Sequence, residues 1–83
     1  MAEVIIKPGQ SANFDADKPI DSLALKNKDQ AISATYKIQF DDDPVEEDSL
    51  NPGQTRTYDL PIGQSVEIRV DNTGKVNITA ILS

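Results

Sequence analysis

Ser65-Val66-Glu67-Ile68-Arg69-Val70-Asp71 alternates polar and apolar side chains through seven consecutive positions. A second alternating run extends over nine, Ile32-Ser33-Ala34-Thr35-Tyr36-Lys37-Ile38-Gln39-Phe40. Successive side chains of a β-strand point to opposite faces, so each run predicts a strand with one buried face. Apolar residues nowhere follow the spacing of an amphipathic helix, and five prolines interrupt the chain. The sequence therefore predicts an all-β protein.

Each of these strands is predicted to belong to a hairpin. The alternation continues in Val76-Asn77-Ile78-Thr79-Ala80, beyond a short loop in which Gly74 can take the left-handed conformation. Similarly, Ser22-Leu23-Ala24-Leu25-Lys26 precedes the nine-residue strand across a polar turn at 27–30. Shorter strands are predicted at 3–7, 12–16 and 56–60.

Several short motifs occur twice in the same order. Pro8-Gly9-Gln10-Ser11 recurs as Pro52-Gly53-Gln54-Thr55, and Pro and Gly are the residues that a type II turn requires at its centre. The other matched pairs are Phe14-Asp15 with Tyr58-Asp59, Pro19-Ile20 with Pro61-Ile62, and Leu23-x-Leu25-x-Asn27 with Ile68-x-Val70-x-Asn72. This order predicts an internal repeat, with half-repeats at about 1–40 and 49–83.

The acidic residues are concentrated between the two halves. Six of the fourteen acids lie in one stretch, and they are Asp41, Asp42, Asp43, Glu46, Glu47 and Asp48. The rest of the chain carries equal numbers of acids and bases, so the net charge of −6 belongs to this stretch. We expect 41–48 to be a solvated connector rather than a core strand. The prediction is then one β-sandwich domain, 1–83, of about seven antiparallel strands, jelly-roll or immunoglobulin-like.

The alternating runs also predict which side chains are buried. The expected core residues are Val4, Ile6, Phe14, Leu23, Leu25, Ile32, Ala34, Tyr36, Ile38, Tyr58, Leu60, Val66, Ile68, Val70, Val76, Ile78 and Ala80. A core of this size offsets the conformational entropy of the chain only narrowly. Ile5 and Ile81 fall on the outward side of their strands and could supply a contact for self-association as a homo-oligomer.

Composition excludes several classes of function. The 83 residues include no cysteine, histidine or tryptophan, which leaves no disulfide framework and no thiolate or imidazole metal ligand. A net negative chain repels phosphate backbones, so nucleic-acid binding is not expected. Apolar runs are too short to span a membrane. The start of the chain does not resemble a signal peptide, which fits a cytoplasmic or particle-associated protein and equally a mature exported domain.

The acidic stretch is the one candidate ligand site. Calcium takes about six to eight oxygen ligands, and clustered acids at the end of a strand can supply them. The candidate metal ligands are Asp41, Asp42, Asp43, Glu46, Glu47 and Asp48, although their spacing is not that of an EF-hand. Two other interpretations apply to the same residues. They form a solvated loop or protect a sheet edge from pairing, or they contact a basic partner.

Catalysis is not expected. Serine and threonine have no histidine to activate them, and the crowded acids lack a cleft that would hold two carboxyl groups across a substrate. We therefore expect a non-catalytic protein-binding or assembly module without a cofactor, which contacts partners through loops or a sheet edge. The alternative is a calcium-dependent ligand-binding domain, with carbohydrate as one ligand class, that uses the acidic loop 41–48.

Overall fold

The computed structural model describes residues 2–16, 22–60 and 66–83, which form eight β-strands. The strands are β1 (Ala2–Ile6), β2 (Ser11–Ala16), β3 (Ser22–Lys26), β4 (Ala34–Phe40), β5 (Glu46–Leu50), β6 (Thr55–Asp59), β7 (Val66–Asn72) and β8 (Ile78–Leu82). The two long alternating runs of the sequence are β4 and β7, and both bury every second side chain. The described part of the chain contains no helix, and so none that could cross a membrane.

The strands form two antiparallel sheets of four. Their orders are β1-β8-β3-β6 and β2-β7-β4-β5. Two such packed sheets of four strands are the arrangement of a jelly roll. The prediction of an all-β sandwich is confirmed, and its jelly-roll form rather than its immunoglobulin-like form applies, since immunoglobulin domains divide their strands differently.

The predicted number of strands was wrong. The structure describes eight strands rather than about seven, because the second part of the acidic stretch belongs to a strand, β5, and not to a connector. β5 pairs with β4 in the register Ala34↔Leu50 to Ile38↔Glu46. An edge strand has a neighbour on one side only, so its acidic side chains reach water without leaving the ladder. Charge therefore did not prevent strand formation here.

Both predicted hairpins were also wrong. β7 and β8 lie in different sheets, and so do β3 and β4. Alternation indicates which side chains face the core but does not identify the neighbouring strand. Gly74 does not have a positive φ. A Cβ at this position would lie 2.8 Å from the backbone nitrogen of Thr35, so close packing is what requires glycine there.

The core lies between the two sheets. Its buried apolar residues are Ile6, Phe14, Leu23, Leu25, Ala34, Tyr36, Ile38, Leu50, Leu60, Val66, Ile68, Val70, Ile78, Ala80 and Leu82. Leu50 and Leu82 were not predicted. Tyr58 and Val76 are half-buried against the core, whereas Val4 and Ile32 are 38% and 47% exposed. The expectation that Val4 and Ile32 are core residues was therefore wrong.

Two turns carry the Pro-Gly motifs, and both glycines have the positive φ predicted for them. Gly9 has φ 79° and Gly53 has φ 76°. The N–H of Gly9 donates to the carbonyl of Asn72 at 2.9 Å, and the N–H of Gly53 donates to the carbonyl of Asn27 at 2.9 Å. Each turn is thus fastened to an asparagine at the end of a distant strand.

Asn27 and Asn72 are buried, and three bonds of their side chains match, while Nδ2 of Asn27 also donates to the carbonyl of Asn51 at 3.4 Å. Nδ2 of Asn27 donates to the carbonyls of Leu50 (3.2 Å) and Ile32 (2.9 Å). Nδ2 of Asn72 donates to the carbonyls of Ile6 and Val76, both at 2.8 Å. Each Oδ1 accepts the N–H two residues on, at 3.0 Å. The repeated Pro19-Ile20 and Pro61-Ile62 pairs lie outside the described residues.

Candidate functional site

The six predicted calcium ligands follow one another around a single hairpin. Asp41, Asp42 and Asp43 form the turn after β4, which the bond from the N–H of Asp43 to the carbonyl of Phe40 closes at 2.9 Å. Asp41 has a positive φ of 49°, a conformation that aspartate adopts more readily than most residues. Glu46, Glu47 and Asp48 belong to the edge strand β5. The structure therefore places three of the acids in a turn and three in a strand.

Alternation along β5 sends its acids to both faces of the sheet. Glu47 lies opposite Lys37 on the outer face, with 3.4 Å between its carboxylate and Nζ. Asp48 lies opposite Tyr36 on the inner side, and its carboxylate is 2.8 Å from Nη1 of Arg56. In the turn, Oδ1 of Asp41 accepts the N–H of Glu67 at 2.9 Å. Each of these three carboxylates is directed to a different partner.

This division separates the acids within the described part of the chain. Across residues 2–16, 22–60 and 66–83, no group of three or more acidic side chains is positioned to hold an ion. The sequence brings the acids together along the chain, but a strand separates neighbouring side chains onto opposite faces. The calcium site therefore stays a prediction, which the arrangement of the described acids does not favour.

A tyrosine pair joins the two sheets beside the acidic hairpin. The hydroxyls of Tyr36 (β4) and Tyr58 (β6) are 2.6 Å apart. Nη1 of Arg56 donates to the Tyr36 hydroxyl at 3.1 Å and to the carbonyl of Ser49 at 2.9 Å. The ring of Phe40 packs against Tyr58 with 5.5 Å between centroids. These contacts close the sandwich at the end formed by β5 and β6.

Tyr58 and Arg56 in this network each keep one charge state near neutral pH. Burial, followed by the hydrogen bond with Tyr36, raises the pKa of Tyr58 above its ordinary value of 10.0. The hydrogen bond to Tyr36 raises the pKa of Arg56 further. Tyr58 is therefore neutral and Arg56 charged throughout the physiological range. Neither group is poised to exchange a proton near neutral pH, as a general acid or base must.

A cleft at this end is partly apolar. It has a volume of about 230 Å³, and its lining residues are Phe40, Asp41, Asp43, Tyr58, Asp59, Leu60 and Val66. A carboxyl group that acts as a general acid requires a raised pKa. The two described carboxyl groups with a shifted pKa, Asp29 and Asp71, lie elsewhere and are both shifted downward.

The opposite edge of the other sheet is apolar. β1 pairs with β8 alone, which leaves its second side without a strand among the described residues. Ile5 faces outward and is 55% exposed, as the sequence predicts for the outward side of β1. Val4 shares its face with buried Ile6 but is 38% exposed, because the sandwich does not cover it at this edge. Sequence reasoning identified Ile5 but assigned Val4 to the core.

Charged side chains of both signs lie beside this apolar edge. Nζ of Lys28 lies 3.8 Å from the carboxylate of Glu3, and both side chains are about half exposed. Ile5 itself lines a groove with Lys28, Lys75 and Thr79. Thr79 is buried beside Ile5, and Ile81 on the same face is half-buried. β1 therefore offers one edge without a neighbouring strand, apart from the Ile6 carbonyl that Asn72 binds, and it carries an exposed apolar side chain on each face.

Comparison with known proteins supports the fold and adds no function. No protein-family model matches the chain, and no curated protein matches it. The chain resembles a solved structure described as a solution NMR structure of a de novo designed double-stranded β-helix. The two have a TM-score of 0.57 and 18% sequence identity, with 95% of this chain and 90% of the other covered. At this identity the similarity shows a shared fold, an all-β sandwich of the double-stranded β-helix type.

Proposed function

We propose that this chain is a non-catalytic protein-binding or assembly module whose contact surface is the free edge of β1. The observation that carries the proposal is the exposure of Val4 and Ile5, one on each face of an edge strand. An edge strand with unpaired N–H and C=O groups accepts an extended segment as an additional strand. Apolar side chains on both faces then gain burial as that segment binds.

The acidic hairpin has the complementary role in this proposal. β5 is the free edge of the second sheet, and its exposed side chains include Glu46, Glu47 and Asp48. Charged residues on an edge strand, including those that point toward the core side, discourage the docking of another strand. The acids thus protect β5, whereas β1 carries no such run of acids and stays open to a partner.

The proposal includes an internal repeat. It is supported by the matched bonds of Asn27 and Asn72 and by the matched turns at Gly9 and Gly53. Under this repeat β1 corresponds to β5, and the two sheet orders correspond when one is reversed. The two corresponding edges, β1 and β5, then differ in chemistry, since one is apolar and the other is acidic.

The alternative function, calcium-dependent ligand binding, draws less support. Three of its six acids, Asp41, Glu47 and Asp48, contact separate partners. Asp41 and Asp43 also line a cleft together with Asp59. No partner class beyond protein is favoured, since the acidic surface repels nucleic acid.

Panning a library of displayed extended peptides against the immobilised protein tests the proposal. We expect enriched peptides to bind the unaltered chain and to lose binding to Ile5→Lys. The matched control is Val45→Lys, which replaces a similarly exposed aliphatic residue (53%) next to β5 and should retain binding. Peptides that bind Ile5→Lys equally well, or no enrichment at all, would contradict the proposal.

A further inference from the structure

The edge of β1 is complementary to itself. Glu3-Val4-Ile5-Ile6-Lys7 places an acid and a base at equal distances on either side of Ile5. Alternation along β1 puts Glu3 and Ile5 on one face, while Val4 and Ile6 share the other. Extending this alternation by one residue beyond the end of β1 at Ile6 would place Lys7 on the face of Glu3 and Ile5. Reversing the segment exchanges the acid with the base and leaves the apolar centre unchanged.

We propose that the partner of this edge is a second copy of the same chain, bound antiparallel through β1 in the register centred on Ile5. This inference rests on the proposed function of the β1 edge and names its partner. In this register Glu3 lies opposite Lys7 of the partner subunit, and Val4 lies opposite Ile6 of the partner subunit. Opposite charges directly across an antiparallel pair stabilise it, whereas like charges destabilise it.

The pairing joins two four-stranded sheets into one sheet of eight. It satisfies the free backbone groups of β1 and covers Val4 and Ile5, two of the four large apolar residues exposed in the described part of the chain. Because the same surface is used by both copies, the contact is two-fold symmetric and closes at a dimer. Glu3 then lies between Lys28 of its own chain and Lys7 of the partner subunit.

The same pairing is unfavourable at the acidic edge. An antiparallel pair of β5 strands would bring Glu46, Glu47 and Asp48 against their own copies with no base among them. The repulsion between like charges opposes that contact at every register that overlaps these residues. Charge thus selects β1 over β5 as the edge for a second copy.

Sedimentation velocity across a concentration series up to about 1 mM tests this register. The contact involves one short strand, so we expect a weak dimer that dissociates on dilution. Glu3→Lys places lysine opposite Lys7 of the partner subunit at two symmetric positions, and Lys7→Glu places acid opposite acid. Each substitution is expected to weaken dimerisation about tenfold.

The two variants rescue each other if the register is correct. An equimolar mixture of Glu3→Lys and Lys7→Glu chains restores both opposite-charge pairs and should dimerise as the unaltered protein does. The double variant carrying both substitutions should also dimerise. Glu47→Lys, with the same charge change on β5, is the matched control and should leave the dimer unchanged.

Three results would overturn the inference. They are a monomer at every concentration, dimerisation that the single substitutions do not weaken, and a mixture that fails to restore it. Continued growth beyond a dimer would also contradict a closed two-fold contact. If the protein is monomeric but Ile5-dependent peptides are found in the panning experiment, the edge binds a different partner and only the self-pairing fails. If both experiments fail, the proposed function fails with it.

Discussion

Asn27 and Asn72 illustrate how two single side chains fasten the corners of the sandwich. Each is buried and bonds with its amide nitrogen to the last carbonyl of an edge strand, Leu50 or Ile6, and to a loop carbonyl. A buried carbonyl that loses its donor costs about 1–3 kcal/mol. In the sequence these asparagines are recognisable only as the last residues of a repeated motif. Their burial could not be predicted, because an alternating pattern does not identify a polar side chain as buried.

Replacing either asparagine should therefore cost the same. We expect Asn27→Ala and Asn72→Ala each to lower the free energy of unfolding by about 2–3 kcal/mol, since each removes the amide donor from at least two carbonyls. Asn77→Ala, at an exposed position, is the control and should change it by no more than about 0.5 kcal/mol. Urea unfolding measures all three. Unequal costs for the two buried asparagines would count against the proposed internal repeat.

The free energy of unfolding at low pH also depends on single residues. The hydroxyl of Ser11 donates to Asp71, and this bond lowers the pKa of Asp71 below its ordinary value of 3.8. Backbone N–H groups of Ala31 and Ile32 do the same for Asp29. A carboxyl with a lowered pKa in the folded state stabilises the fold above pH 3.8, and this contribution is lost as the pH falls through the lowered pKa.

Ser11→Ala should consequently raise the pKa of Asp71 toward its ordinary value. The carboxyl carbon shifts of a ¹³C-labelled sample, followed by NMR across the acid range, measure the change. The pKa of Asp29 is the internal control, because its donors are its own backbone neighbours and the substitution leaves them in place. An unchanged pKa for Asp71 would show that the Ser11 hydroxyl does not hold it down.

The strands themselves were largely predictable, and the exceptions are informative. β4 and β7 alternate so regularly that both their existence and their buried faces could be derived from sequence. β5 could not, because four of its five residues are exposed and three are acids, which removes the alternating signal. Val4 lies on the face of β1 that the sequence predicts, but its side chain is exposed rather than buried. Whether an inward side chain is covered depends on how far the opposite sheet extends.

The geometry of β5 also leads to an expectation for calcium binding. Since Glu47 and Asp48 face opposite sides of β5 and are paired with Lys37 and Arg56, these two acids cannot converge on one ion without breaking both pairs. We expect thermal unfolding curves recorded in millimolar calcium and in chelator to coincide. A rise in Tm of several degrees with calcium would instead indicate a bound native state and favour the calcium-dependent alternative.

Sequence patterns could not predict which strands pair with each other across the whole molecule. Among consecutive strands only β4 and β5 are paired in the described structure, and the other connections cross between sheets. Local turn signals predict neighbours along the chain, but a jelly roll pairs strands that are distant in sequence, such as β1 with β8. Matching motifs at the two Pro-Gly turns gave the best sequence evidence for this long-range order.

The long-range order predicts that the chain can be permuted. Ala2 lies opposite Leu82 in the ladder of β1 and β8, so the ends of the chain are adjacent. A permutant that begins at Val45, within an exposed turn, and joins Ser83 to Met1 through a short glycine-serine linker should fold with the same circular dichroism spectrum. A control permutant that begins at Tyr36, in the centre of β4, should not fold. Failure of the Val45 permutant would contradict the strand order.

The assignment of β1 as the contact edge leads to a specific expectation for hydrogen exchange. Amide exchange of the unaltered protein is compared by NMR at a dilute concentration and at about 1 mM. We predict that amides within β1 exchange more slowly at the higher concentration, while those of β5 exchange at the same rate in both samples. Exchange in β1 that does not depend on concentration, or slowing confined to β5, would contradict assembly through the β1 edge.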